Sequence, residues 1–146
     1  MRMGLFSALR GSRSEDRELG LGLWRVDHDR FRRAIDRFHQ VLEGTEDDAL
    51  YALLLPQADR LGELVDRVRT VCARGHREHP VDGSDVPGAV EPVHRALSRA
   101  ANDAATAAQA AAMSRFESDP AAVLATVARR VDTVEARVSE AENAWQ

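Results

Sequence analysis

Residues 119–145 read DPAAVLATVARRVDTVEARVSEAENAW, and this stretch decides the fold. Asp119 is a strong N-cap residue. Pro120 suits the first helical position, where its missing N–H would have had no partner. Leu124, Val127, Val131, Val134, Val138, Ala141 and Trp145 then recur at alternating spacings of three and four. Such spacing lays one apolar seam along a single helix. Arg129, Arg130, Asp132, Glu135, Arg137, Glu140 and Glu142 fall off the seam. Valine is a mediocre helix former, so the pattern reflects packing against other helices rather than intrinsic propensity.

Working upstream, a third helix is expected from Ala89–Glu91 to near Ser118, with Pro92 tolerated in its first turn. Its middle is crowded with alanine, from Ala100 to Ala112. Alanine is the best helix former, and its flat surface lets neighbouring axes approach to the short end of the ~8–10 Å range. A first helix is expected from Asp29 to Glu43, where Phe31, Ile35, Phe38 and Leu42 share one face. Asp27 is its expected N-cap, and Gly44 lies just past its end.

The second helix begins after Thr45, whose spacing to Asp48 resembles a capping box. Leu50, Leu54, Ala58, Leu61, Val65, Val68 and Cys72 keep one stripe up to Gly75. Pro56 interrupts the run, which fits either two helices meeting at the proline or one kinked helix. The apolar phase carries through Pro56 and favours the kinked helix. Residues 75–89 hold three glycines and two prolines and are expected as the one long loop.

The expected fold is all-α: an up-and-down bundle of about four helices, with the second helix kinked or split at Pro56. The connections after the first and third helices are short, which makes those neighbours antiparallel. Residues 1–26 are expected as a flexible or docked N-terminal segment and residues 27–146 as the helical bundle domain.

Composition narrows the setting. The chain has 146 residues, the usual size of one domain, with 44% hydrophobic and 30% charged residues. Its single cysteine, Cys72, excludes an intramolecular disulfide and fits a reduced cytoplasm. No run approaches the roughly 20 apolar residues that cross a bilayer. The run at Met1–Arg10 is too short for a secretory signal and is read as a tail rather than a membrane-surface helix. All 20 basic residues are arginine. With the heavy use of alanine and valine, this points to a GC-rich bacterial genome.

The net charge is −4, although residues 1–40 carry nine arginines against six acids. An acidic chain argues against nucleic acid as the main partner. Arg30, Arg33 and Arg37 form a basic strip, but acids at helical spacing and the lack of interleaved aromatics make it a solvated face.

Two groups of residues stand out as candidates. His76, His79, Glu91 and His94 carry transition-metal donor types at or beside the long loop, and Glu91 and His94 share a helix face. A di-metal carboxylate bundle would need a second Glu-x-x-His, and the chain has one. His39 and His94 also border apolar stripes, where histidine commonly covers a core. Val131, Val138 and Trp145 on the seam are the candidate partner interface; Trp145 either closes the bundle with Trp24 or anchors another chain.

There is no lysine for a phosphate-binding loop, no nucleophile elbow, and Cys72 lies on the core stripe. The sequence therefore reads as a non-enzymatic helical bundle without a cofactor, acting through protein–protein interaction or self-association. The alternative is a metal-binding or metal-dependent enzyme built on the His/acid loop.

Overall fold

The seam of residues 119–145 is one wall of a four-helix bundle. The computed structural model describes residues 13–83 and 85–145. Residues 13–19 are helical, here α1; then follow α2 (Leu23–Glu43), α3 (Asp48–Glu78), α4 (Glu91–Met113) and α5 (Pro120–Asn143). A 3₁₀ turn, Ser114–Phe116, continues α4. Among the described residues there is no strand, so the fold is all-α. With α1, the described residues hold five α-helices rather than four. The Met1–Arg10 tail lies outside the described residues.

Chain direction alternates from α2 to α5, but the neighbours do not follow chain order. α2 packs on α3 and α4, and α5 packs on α4 and α3. α3 and α4 sit on the diagonal and scarcely touch. Residues 79–90 are long because they cross that diagonal. The short connections do join antiparallel neighbours, as expected, whereas α2 and α4 run side by side in parallel.

Why these helices fill one core follows from their side chains. α2 supplies bulk through Trp24, Phe31, Ile35 and Phe38, and α3 through Leu54, Leu61 and Leu64, all buried. α4 answers with Ala96, Ala100, Ala104, Ala107, Ala108 and Ala111. Large faces against small ones keep the interior at crystal-like density. Each fully buried Leu, Ile or Phe contributes roughly 1.5–3 kcal/mol.

Several expectations need correction. α2 begins at Leu23, six residues before the expected Asp29. Its buried stripe continues backwards from Phe31 through His28, Asp27 and Trp24. Asp27 is therefore interior rather than an N-cap, and Gly22 holds that position. Residue 27, expected as the start of the bundle, lies inside this helix.

The cap of α3 is Asp47, whose side chain accepts the Leu50 N–H at 2.9 Å. Thr45, the expected cap, instead donates its hydroxyl to the Val41 carbonyl at 2.8 Å. α3 is continuous through Pro56, which is exposed, so the carbonyl left free by the proline can meet water. Gly75, His76, Arg77 and Glu78 belong to α3 rather than to the loop.

α4 ends at Met113, short of Ser118. The Asp119 cap and the Pro120 start of α5 are as expected, with Asp119 accepting the Ala121 N–H at 3.0 Å. At the first turn of α5 the core position is Val123, and Leu124 is 39% exposed. A strict seven-residue repeat drifts against 3.6 residues per turn, and the drift appears at this end.

Candidate functional site

The two ends of the bundle differ, and the four metal candidates and Trp145 lie at one of them. There the N-termini of α2 and α4 meet the C-termini of α3 and α5. Trp24 is buried and donates its indole N–H to the His79 carbonyl at 2.9 Å. Trp145 lies across it with ring centroids 5.4 Å apart, and stacks on the His79 imidazole at 5.5 Å. The Arg74 guanidinium sits 5.4 Å over the Trp145 ring. The Trp145 indole N–H donates to the Val71 carbonyl at 3.3 Å. Gly75 makes room for all this: a Cβ there would stand 2.4 Å from the Trp24 ring.

The four metal candidates are engaged one by one. His76 packs its ring on Gly20, His79 stacks on Trp145, Glu91 pairs with Arg95, and His94 bonds Asp27. Among the described residues no three His, Cys, Asp or Glu side chains are grouped to hold a metal ion. His39 covers the core, its Nε2 3.0 Å from the Ala58 carbonyl. Of the interface candidates, Val131 and Val138 are fully buried inside the chain's own bundle, and Trp145 is half-buried in the aromatic cluster.

Sequence reasoning missed a polar pair with a buried carboxyl and a partly exposed imidazole. Asp27 on α2 is 2% exposed, and its Oδ2 lies 2.8 Å from His94 Nδ1 on α4. Burial pushes the Asp27 carboxyl above the ordinary range, against the pull of His94 and Arg30. Next to it, His28 is 1% exposed and its Nδ1 lies 2.9 Å from Asp29 Oδ1. Burial works to raise Asp29, but His28 and Arg25 outweigh it and hold the group low. A carboxylate only accepts, so His28 Nδ1 carries the proton.

Asp27 Oδ1 and His28 Nε2 are buried without a hydrogen-bond partner. Burial, reinforced by Asp27 and Asp29, raises the Cys72 thiol well above its usual value, so it is an inert core group. The signal that would have found the pair is the stripe itself. Counting back three and four from Phe31 lands on His28, Asp27 and Trp24. This end is closed, and its polar groups pin α2 to α4.

The opposite end is open. The α2–α3 connection and the α4–α5 turn flank a cleft of about 890 Å³. Val41, Leu50, Leu53, Ala111, Ala112 and Val123 give it an apolar lining, and Glu46, Asp47, Glu117 and Arg115 line it too. It exists because α4 ends in alanine, which cannot fill the space between α2 and α5. On the turn beside it, Phe116 is 74% exposed and Met113 57%. The Arg115 guanidinium lies 4.8 Å from the Phe116 ring centroid.

No protein-family model matches the chain, and no curated protein or solved structure matches it. The connecting segments around the open end and the helix ends they join hold Glu43, Glu46, Asp47, Asp48, Glu117 and Asp119 against Arg115. The open end thus combines an apolar floor, an acidic surround and exposed large side chains. Among the described residues no helix is long and apolar enough to cross a membrane.

Proposed function

We propose that this chain is a binding module whose open end receives a cationic, amphipathic segment of a partner protein. The carrying observation is the 890 Å³ cleft, apolar within and acid-rimmed, beside the exposed Phe116 and Met113. Apolar side chains of the segment fill the cleft, and its basic residues meet Glu46, Asp47 and Glu117. Complementary charge of this kind sets encounter rate and selectivity, while the buried apolar anchors supply affinity. A second copy is a weaker fit as partner, because Val131 and Val138 are spent on the internal core. The same proposal sets the module in a bacterial cytoplasm, supported by the buried lone thiol of Cys72 and the all-arginine basic composition.

The test is fluorescence anisotropy with two labelled 14-residue helical peptides, one with Leu and Arg on opposite faces and one with Leu and Glu. The Leu/Arg peptide is expected to bind, to weaken with salt, and to lose at least about tenfold on Phe116→Ser combined with Met113→Ser. Equal binding of the two peptides, or indifference to that double change, would refute the reading.

A further inference from the structure

A different region carries an inference that does not depend on the cleft. Residues 13–19 of α1 lie against α2 and α3, held by Leu19 in the core and by a row of ion pairs ahead of it. Glu15 reaches Arg25 at 3.2 Å and Arg32 at 2.9 Å. Asp16 bonds Arg25 at 2.6 Å. Glu18 is bidentate on Arg69 of α3, at 3.0 and 2.9 Å. Both groups of that last pair respond: the Arg69 hydrogen bonds hold Glu18 below the usual carboxylate range, and Glu18 raises Arg69. The one buried apolar residue in this stretch is Leu19, at its end.

Immediately after Leu19 the chain turns on Gly20, at φ +73°, where a side chain would also strike the His76 ring. Gly22 then abuts the Val81 carbonyl so closely that a Cβ would stand 2.0 Å from it. The segment is thus anchored at Leu19–Gly22 and clasped ahead of it by three carboxylates. Beneath the clasp, Arg25, Arg32 and Arg33 border a recess of about 200 Å³ together with Glu15, Asp29 and Asp36.

We propose that α1 is a displaceable acidic clasp over an arginine site on α2 and α3, and that this site takes an acidic helical segment of another protein when the clasp lifts. The arginines facing Glu15, Asp16 and Glu18 are Arg25, Arg32, Arg69 and Arg77, with Arg33 beside them. The fixed acids among them are Asp29, Asp36 and Asp66. Without the clasp the patch is net basic; with it the patch is neutralised. What now fills the site is a helix presenting carboxylates at positions i, i+1 and i+3, so a helix with that spacing fits the same guanidinium forks. Bidentate guanidinium–carboxylate geometry is specific, whereas the Arg32–Glu15 and Arg69–Glu18 pairs, each with a partner a third or more exposed, are open to screening.

Two measurements test this. The first is hydrogen exchange of the wild-type chain at 50 and 500 mM NaCl. Protection at Leu19 and Gly20 is expected to fall by about tenfold while the core of α2–α5 is unchanged, because ionic clasps are screened and buried apolar packing is not. Salt-independent protection would overturn the proposal.

The second is binding of a 14-residue helical peptide repeating the Glu-Asp-x-Glu spacing. A variant with Glu15→Gln, Asp16→Asn and Glu18→Gln should bind it at least about tenfold tighter than wild type, since the competing clasp no longer occupies the site. Adding Arg32→Gln and Arg69→Gln should abolish the gain. No gain in the triple variant, or binding of pyrophosphate but not of the peptide, would overturn the assignment. If the triple variant fails to fold by circular dichroism, the exchange experiment alone decides.

Discussion

The two ends of the bundle are built from similar material and finished in opposite ways. At one end Trp24, Trp145 and His79 close over Gly75, and a hydrogen bond between buried Asp27 and partly exposed His94 ties two parallel helices together. At the other, α4 runs out in alanine and an acid-rimmed cleft stays open. The difference teaches where stability and recognition are placed. The tryptophan end turns its two indoles inward while leaving Leu21 and Val26 exposed, and the acidic end leaves Phe116 and Met113 exposed beside an open cleft.

That contrast can be broken most sharply at Trp24. Trp24→Ala should cost about 3–5 kcal/mol in urea unfolding, the usual cost of truncating a buried aromatic. Gly75→Ala should also destabilise, by about 1–3 kcal/mol. Alanine gains up to about 1 kcal/mol of helix propensity over glycine, but a Cβ 2.4 Å from a ring packed in the core forces larger repacking. A stabilised Gly75→Ala chain would show that the aromatic cluster is loose.

The buried pair gives smaller, pH-dependent effects. His94→Ala strands the Asp27 carboxyl and should cost about 1–3 kcal/mol. Asp27→Asn keeps an acceptor for His94 without a buried charge. A carboxyl whose pKa is raised by folding supports the native state at low pH, and that support is lost as pH rises through the raised value. Asp27→Asn should therefore match or exceed the wild-type melting temperature at pH 7, and the advantage should vanish as pH falls into the carboxylate range. An advantage that grows on acidification would reverse the sign assigned to Asp27. At the acidic end, Phe116→Ser should move stability by no more than about 0.5 kcal/mol, as exposed substitutions do, while weakening peptide binding.

Much of the fold was legible in the sequence, and the reasons are particular. α5 carries an N-cap, a proline at its first position and an apolar seam, three signals that agree. α3 kept its phase through Pro56, and the structure keeps it as one helix. The start of α2 was not legible, because its core stripe contains Asp27 and His28, which read as a boundary when taken as polar residues. The diagonal crossing of residues 79–90 was not legible either: loop length permits it, but neighbour order is a property of packing.

The candidate sites follow the same division. His76, His79, Glu91 and His94 lie near one another in sequence, yet the fold gives each its own contact. The cleft is made by side chains that are too small, and absence of volume leaves no motif.

The most direct test of the contrast between the two ends is amide chemical-shift mapping by NMR while the Leu/Arg helical peptide is titrated into the wild-type chain. Shifts are expected around Leu50, Leu53, Ala112 and Phe116, with the indole N–H signals of Trp24 and Trp145 unmoved. Shifts centred on the two tryptophans, with Phe116 silent, would contradict the assignment of recognition to the open end.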